Sequence, residues 1–427
     1  MERIKFSGGK KKIAFIVQQY GLEMYGGAEL HCMRLAEKVA PDYDVEVLTT
    51  CSLDYLTWAD HYPAGVSKIN DVTVRRFKVS QLRSWEDMTR LEKKIRFEKA
   101  PKVKSKLKHF FKTAWRKIKT PKATNEDYLD WIRAQGPSSP DLINYISTHE
   151  QDYHCLIFFT YLYYPSVFGI DINPAKTVFI PLAHDEWAIR MPVYKKLFTT
   201  PAGIMYNTMA EKRLANKLFN NSHVYSEIMG TWVNIPASLP ETDVKNDLGI
   251  NSDYILYIGR IDVNKITQQD FDWFLRYVKE SGKDIKLVLI GNSFMEIPKS
   301  DHIVYLGFVD EQTKYNLIKQ CLFLYQPSQF ESLSHVVLEA FAMERPVLVH
   351  QDCEVMRDHI QASHGGFYYR DYKGFKDAID QLVGNHVLNE KMGKSGKMYV
   401  DNNYTVEQIM AKFHRIVDEK IGNSASV

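Results

Sequence analysis

Ile13-Ala-Phe-Ile-Val-Gln-Gln-Tyr-Gly-Leu-Glu-Met-Tyr-Gly-Gly-Ala-Glu-Leu-His-Cys-Met-Arg-Leu-Ala-Glu-Lys-Val39 is the stretch on which the fold class turns. It begins with five apolar residues in a row, Ile13 to Val17, the pattern of a strand covered on both faces. Gly21, Gly26 and Gly27 then mark a loop, and Leu30, Met33, Leu35, Ala36 and Val39 recur at helical spacing. Strand, glycine loop and helix in that order open a βαβ unit. The glycine spacing misses G-x-G-x-x-G, so a dinucleotide oxidoreductase fits poorly.

The alternation continues on both sides of a pause. Strands are expected at Val45–Leu48, Val72–Val79, Leu156–Thr160, Thr177–Pro181 and Gly203–Tyr206, with a helix over Met209–Leu218. Pro236, Ser238 and Pro240 break the pattern, and a hinge is placed near Ile235. Beyond it come strands at Tyr254–Ile258, Ile285–Ile290, Ile303–Leu306, Leu322–Tyr325 and Pro346–His350. Helices are expected between them at Asp270–Glu280, Glu311–Gln320 and Ser334–Met343. Strands alternating with helices argue for α/β architecture with parallel sheets. The expected layout is an N-terminal Rossmann-like domain over 11–235 and a C-terminal Rossmann-like domain over 236–400. A basic helical insertion would occupy about 86–135, and a C-terminal helix over 401–427, frayed at its end, would pack back on the first domain. Open parallel sheets bind ligands beyond the carboxyl ends of their strands, so the two domains are expected to face a central cleft.

With 427 residues and 45% hydrophobic content, the chain has material for two cores. Five dispersed cysteines without a C-x-x-C pair fit neither a disulfide framework nor a zinc site. No apolar run is long enough to span a bilayer, so the reading is a cytoplasmic protein, with attachment to the inner face of a membrane as one option. The net charge of +3 hides an asymmetry: Arg90 to Lys122 holds fourteen Lys/Arg against two acids, a local +12, which leaves −9 elsewhere. Within it, Leu107, Phe110, Phe111, Ala114, Trp115 and Ile118 recur at helical spacing among lysines and arginines. The basic helix 104–119 fits packing on the first domain or lying on an anionic membrane surface. Nucleic acid is not an expected partner, since no motif for it accompanies the helix.

Two stretches carry the chemistry. Gly259-Arg-Ile-Asp-Val-Asn-Lys265 follows a buried strand and brings two cations to one sheet edge. Arg260 offers a fork and Lys265 a point charge to phosphate oxygens, although two ordinary surface cations would look the same. Gln326-Pro-Ser-Gln-Phe-Glu-Ser-Leu-Ser-His-Val-Val-Leu-Glu-Ala-Phe-Ala342 leaves a strand, crosses a polar loop and starts a helix near Ser334. Helix starts welcome phosphate. Glu331 in the loop suits a sugar and Glu339 in the helix a ribose hydroxyl, while a capped helix with a solvated Glu describes the pair equally well. His184, after an apolar strand and before Asp185 and Glu186, reads by itself as a core histidine bonded to an acid.

Together these motifs resemble the retaining glycosyltransferases of family 4, which have the GT-B fold. The likeness runs in order through most of residues 11 to 415. Glu331 and Glu339 match the family's two glutamates separated by seven residues, and Arg260 and Lys265 match its diphosphate-binding pair. Gly26-Gly27-Ala28-Glu29 resembles the family's glycine loop, Pro181 to Glu186 the segment with the active-site histidine, and Asn207-Thr208 with Glu211 also resembles the family. Ser332 and Ile266 stand where the family often has Gly, which leaves the donor sugar open. The resemblance implies His184, Arg260, Lys265 and Glu331 as the catalytic group. It implies a donor site of Gly26, Gly27, Gly259, Arg260, Lys265, Gly291, Phe308, Val309, Glu331, Ser332, Leu333, Ser334 and Glu339, with Gly291 and Gly307-Phe308-Val309 bordering the base. No metal and no further cofactor are implied. The donor would be a nucleotide diphosphate sugar, UDP or GDP first, and the acceptor a glycan or lipid-linked glycan of a cell-surface polysaccharide. A nucleotide-sugar epimerase or hydrolase and a non-catalytic docking protein stay as alternatives.

Overall fold

The computed structural model describes residues 9–23, 26–97, 123–233, 235–236, 238–240 and 242–421. The basic helix expected at 104–119 therefore lies outside the described residues. The chain divides into two units: one takes Met1–Tyr206, Arg213–Ile228 and Lys412–Val427, the other Asn207–Lys212 and Met229–Ala411.

Among the described residues the first unit holds eight strands: β1 (Lys12–Ile16), β2 (Asp44–Thr50), β3 (Gly65–Ile69), β4 (Val72–Phe77), β5 (Cys155–Phe159), β6 (Thr177–Ile180), β7 (Gly203–Tyr206) and β8 (Tyr225–Ile228). They form one sheet in the order β3-β4-β2-β1-β5-β6-β7-β8. β3 pairs antiparallel with β4, and the other pairings are parallel. The helices are α1 (Gly27–Val39), α2 (Trp85–Phe97), α3 (Asn125–Gln135), α4 (Pro140–His149), α5 (Tyr164–Gly169), α6 (Lys195–Thr199) and α7 (Met209–Phe219), whose first turn, up to Lys212, groups with the second unit. Ala14, Ile16, Leu156, Phe158 and Phe179 share a core with Leu91 and Ile95 of α2 and Trp131 and Ile132 of α3. The helices flanking the basic stretch are thus anchored in this core. Lys94 of α2 also reaches Asp127 of α3 at 2.7 Å.

The opposite face of this sheet is closed by the end of the chain. Phe413 stacks on Phe15 with ring centroids 6.3 Å apart. A Cβ at Gly203 would stand 2.6 Å from the Ile416 side chain, so the small residue lets the last segment lie against β7. Asp418 accepts from Tyr43 at 2.7 Å and pairs with Lys11 at 2.9 Å.

The second unit holds β9 (Asp253–Ile258), β10 (Ile285–Ile290), β11 (Ile303–Gly307), β12 (Leu324–Gln326), β13 (Val347–His350) and β14 (Gly366–Tyr369). Its helices are α8 (Val244–Asp247), α9 (Gln268–Ser281), α10 (Glu311–Gln320), α11 (His335–Ala342), α12 (Glu354–Ser363), α13 (Tyr372–Gly384) and α14 (His386–Asn403), and α15 (Val406–His414) follows. The sheet order is β11-β10-β9-β12-β13-β14, with every pairing parallel. This is the doubly wound order. The two-residue period shows in the cores: Tyr254, Leu256 and Ile258 enter one cluster, Ile255 and Tyr257 the other. A strand wanted on both faces must be apolar at every position, which is why these runs stand out in the sequence. Among the described residues, no helix is long and apolar enough to cross a membrane.

Candidate functional site

Strand order reverses between β9 and β12 in the second sheet, and the crevice beyond their carboxyl ends is where such sheets bind ligands. Arg260 and Lys265 follow β9, and Glu331 follows β12. The fold therefore brings these three sequence-selected charges to one switch point. Lys265 Nζ donates to Glu331 Oε1 at 2.7 Å and to the Phe330 carbonyl at 3.2 Å. The Arg260 side chain is 56% exposed, with Asp262 3.6 Å from its Nε. Its carbonyl is pinned by the Tyr257 hydroxyl at 2.6 Å. An exposed fork on a fixed backbone can take an anionic ligand without first breaking a short ion pair.

The backbone beside these charges is shaped by glycines. Gly259, Gly291 and Gly307 end the adjacent strands β9, β10 and β11, all at positive φ (151°, 127° and 71°). The first two meet: a Cβ at Gly291 would stand 2.1 Å from the Gly259 carbonyl oxygen. Gly291 N–H donates to the Gly307 carbonyl at 2.8 Å, which ties the row together. Phe308, 71% exposed, follows β11, two strands from the switch point, while Val309 packs on the core.

The loop after β12 enters α11 through Ser334, whose φ of 61° and ψ of 72° are left-handed. A non-glycine residue in that region costs about 1 kcal/mol or more, so the surroundings must hold it. Ser334 is buried, its hydroxyl has no hydrogen-bond partner among the described residues, and it does not cap the helix. The first turn of α11 holds no acid, which leaves its dipole free for an outside anion. Ser332 is half-buried and Leu333 is buried in the core. Glu339, one turn further on, is buried and accepts from Lys314 at 2.9 Å and from Tyr315 at 3.1 Å. Lys314 is absent from the sequence reading, because an interior lysine of α10 gives no sign that its partner lies 25 residues on. Cys353 also nears this loop, but burial pushes its thiol up to about 11, which disfavours the thiolate at neutral pH.

His184, Gly26 and Gly27 belong to the first unit. His184 follows β6 after Leu182, itself left-handed at φ 51°. Its Nε2 lies 3.5 Å from Glu186 Oε1, and Glu186 accepts from the Tyr161 hydroxyl. Gly26 precedes α1, and Glu29 leans over it: a Cβ on Gly26 would meet the Glu29 carboxylate at 2.0 Å. Burial raises the Glu29 carboxyl despite a 2.5 Å bond from Gln18 Nε2. Thr160, after β5, donates to Gln18 Oε1 at 3.1 Å. Gln18 and Thr160 have no site role in the sequence reading, where Thr160 only ends an expected strand, although polar residues at the end of a buried apolar run were the available signal. Among the described residues, no group of three or more His, Cys, Asp or Glu is arranged to hold a metal ion.

Residues 252–385, most of the second unit, match the family model described as "Glycosyl transferases group 1". The chain is 25% identical over 174 residues to a capsular polysaccharide biosynthesis glycosyltransferase, CapM, of Staphylococcus aureus, covering 38% of this chain and 44% of that protein. The chain thus spans less than half the length of this curated relative. Solved structures match over nearly the whole chain. A sucrose-phosphate synthase from Thermosynechococcus elongatus has a TM-score of 0.64 at 13% identity, over 97% of this chain and 100% of that one. WaaG, a glycosyltransferase involved in lipopolysaccharide biosynthesis, has a TM-score of 0.57 at 14% identity, over 96% and 100%. The fold is GT-B. HepE of Anabaena, solved with UDP and glucose, matches with a TM-score of 0.61 at 13% identity, over 96% of this chain and 100% of its own. These structures speak for the fold; the match over 252–385 links the residues around Arg260, Lys265 and Glu331 to group 1 glycosyltransferases.

Proposed function

We propose that the chain transfers a sugar from a nucleotide diphosphate sugar to an acceptor hydroxyl, with retention of configuration and without a metal ion. The observation that carries this is the switch point itself. Arg260, Lys265 (which Glu331 shares) and the acid-free start of α11 are the groups there that suit an anion, next to a glycine row whose backbones approach closely. In the reaction the bond from the sugar to the diphosphate loosens, and the developing negative charge falls to Arg260, Lys265 and the helix start. The acceptor oxygen bonds to the same face of the sugar, and its proton passes to the departing diphosphate. Glu331 holds the sugar and Glu339 the ribose. His184, Gly26 and Gly27 are assigned to the same reaction from the first unit, which also takes the acceptor.

UDP is the first choice of nucleotide, in keeping with the UDP found with HepE. The acceptor is proposed to be a growing glycan of a cell-surface polysaccharide, in keeping with the likeness to CapM. The basic stretch 104–119 is assigned to an anionic membrane surface at the cytoplasmic face, where a lipid-linked acceptor would lie.

A thermal-shift panel of UDP, GDP, ADP, dTDP and their sugars tests the donor site. Stabilisation by one nucleoside diphosphate, lost in Arg260→Ala, is expected. Failure of every member to move the melting temperature would return the chain to a docking protein. Rapid consumption of the donor with no acceptor present would favour a hydrolase or epimerase.

A further inference from the structure

The left-handed turn at Ser334 needs something to hold it, and the Ser334 side chain makes no bond that does so. The adjacent carbonyl, that of Leu333, accepts from His359 Nε2 at 2.8 Å. His359 lies on α12 and is 2% exposed. A carbonyl can only accept, so Nε2 carries the proton. Nδ1 faces the Tyr399 hydroxyl at 3.0 Å. Burial lowers the His359 pKa, which favours the neutral ring, and in the neutral ring Nδ1 is the acceptor. Tyr399 then spends its proton on His359 and receives one from the Tyr404 hydroxyl at 3.1 Å. The four residues form one directed chain, Tyr404 to Tyr399 to His359 to Leu333. Both tyrosine rings meet the imidazole edge-on, at 5.9 and 6.0 Å between centroids, which fixes its plane. The far end is held too: Val233 N–H donates to the Tyr404 carbonyl at 3.3 Å, and a Cβ at Gly230 would stand 3.0 Å from the Tyr404 ring.

We propose that His359 is a positioning residue of the donor site: aligned by Tyr399 and Tyr404, it fixes the Leu333 carbonyl, and so the Ser334 turn that aims the start of α11 at the diphosphate. The inference rests on the donor-site reading above. His359 touches no substrate and acts through Leu333 and Ser334.

The test uses the full chain with His359→Gln, His359→Asn and Tyr399→Phe. A glutamine amide extends to the place of Nε2 and can still donate to Leu333; an asparagine amide stops near Nδ1 and cannot. Affinities for UDP, GDP and their monophosphates are measured by calorimetry, and the melting temperature of each free protein is recorded. His359→Asn is expected to weaken the diphosphate about tenfold, the size of one lost hydrogen bond to a polar partner. It should leave the monophosphate within about twofold, since it is the second phosphate that is proposed to meet the helix start. His359→Gln should hold the diphosphate within about threefold of wild type, and Tyr399→Phe should fall between the two. Wild-type protein that binds neither UDP nor GDP would sink the donor-site reading itself. If wild type binds one of them, equal loss in the Gln and Asn variants, no loss in the Asn variant, or parallel loss of mono- and diphosphate would overturn the role of His359. Should the Asn variant not fold, Tyr399→Phe decides alone: a diphosphate-specific loss supports the role, and wild-type affinity overturns it.

Discussion

Lys265 Nζ stands 2.7 Å from Glu331 Oε1, so the lysine charge is already answered by a carboxylate before any ligand arrives. Both side chains are largely buried, at 25% and 14% exposure, and screening between them is weak. Under the proposed function, a diphosphate has to share Lys265 with Glu331. Glu331→Gln keeps an acceptor for the ammonium group but removes the competing charge. Affinity for inorganic diphosphate should rise about three- to tenfold, about 1 kcal/mol, while sugar transfer falls about a hundredfold. Calorimetry and turnover on the same preparation check the two halves, and unchanged diphosphate affinity would contradict the shared-lysine picture.

Arg260 is the cation of the site with no short ion pair: Asp262 is 3.6 Å away and the side chain is more than half exposed. Its loss should leave the fold alone. Arg260→Ala is expected to lower kcat/KM about 10²- to 10³-fold with the melting temperature within about 1 °C of wild type. Arg260→Lys should recover only part of this, because an ammonium lacks the two-pronged fork. Steady-state kinetics beside a melting curve separates this from misfolding.

The glycine row separates crowding from backbone strain. Gly291→Ala would push a methyl group to 2.1 Å from the Gly259 carbonyl at a φ of 127°, whereas Gly307→Ala meets nothing within 4 Å at a φ of 71°. Gly307→Ala should cost about 1 kcal/mol from backbone strain alone. Gly291→Ala should cost about 3 kcal/mol or more. Urea unfolding of the two variants measures the gap, and equal losses would mean that the close approach is relaxed in solution.

In the first unit, Glu46 is buried between Lys12 at 2.8 Å and Arg75 at 2.8 Å, and accepts from Tyr153 at 2.7 Å. Burial alone would raise its carboxyl, but the bonds from Lys12, Tyr153 and Arg75 outweigh it and hold the pKa below the ordinary 4.5. The stabilisation is then complete above that ordinary value and is lost as pH falls through the folded one. Glu46→Gln should cost about 2 to 3 kcal/mol at pH 7, less than for a fully buried pair because both cations reach water. The gap from wild type should close at acid pH, and denaturant unfolding from pH 7 to pH 3 checks this. A constant difference would mean that the carboxylate carries no net stabilisation.

The second sheet was legible in the sequence because its strands are covered on both faces and read as unbroken apolar runs. Ile285–Ile290 falls where the pattern places it, and β9 differs by one residue. The strands the pattern misses are edge or near-edge elements. β3 (Gly-Val-Ser-Lys-Ile) is almost wholly exposed, β8 (Tyr-Ser-Glu-Ile) is half-buried throughout, and β14 is four residues long. Their pairing comes from a neighbour in space, which a local pattern does not record. The site divides the same way. Arg260, Lys265 and Glu331 announce themselves as charges at strand ends. Lys314 and His359 sit on helices that read as ordinary, and only the folded chain shows that they meet Glu339 and Leu333.

The last segment of the chain covers the sheet that begins with its first strand, through Phe413 on Phe15, Ile416 against Gly203 and Asp418 on Tyr43 and Lys11. Proteins are made from the N-terminus onward, and domains made first generally fold first. Here that order is inverted. A nascent chain that ends before Lys412 already holds every residue of the second unit, yet its first sheet still presents Phe15 and Gly203 without their covering. The unit translated first is therefore the one finished last: one face of its sheet waits for the segment from Lys412 onward before its packing is complete.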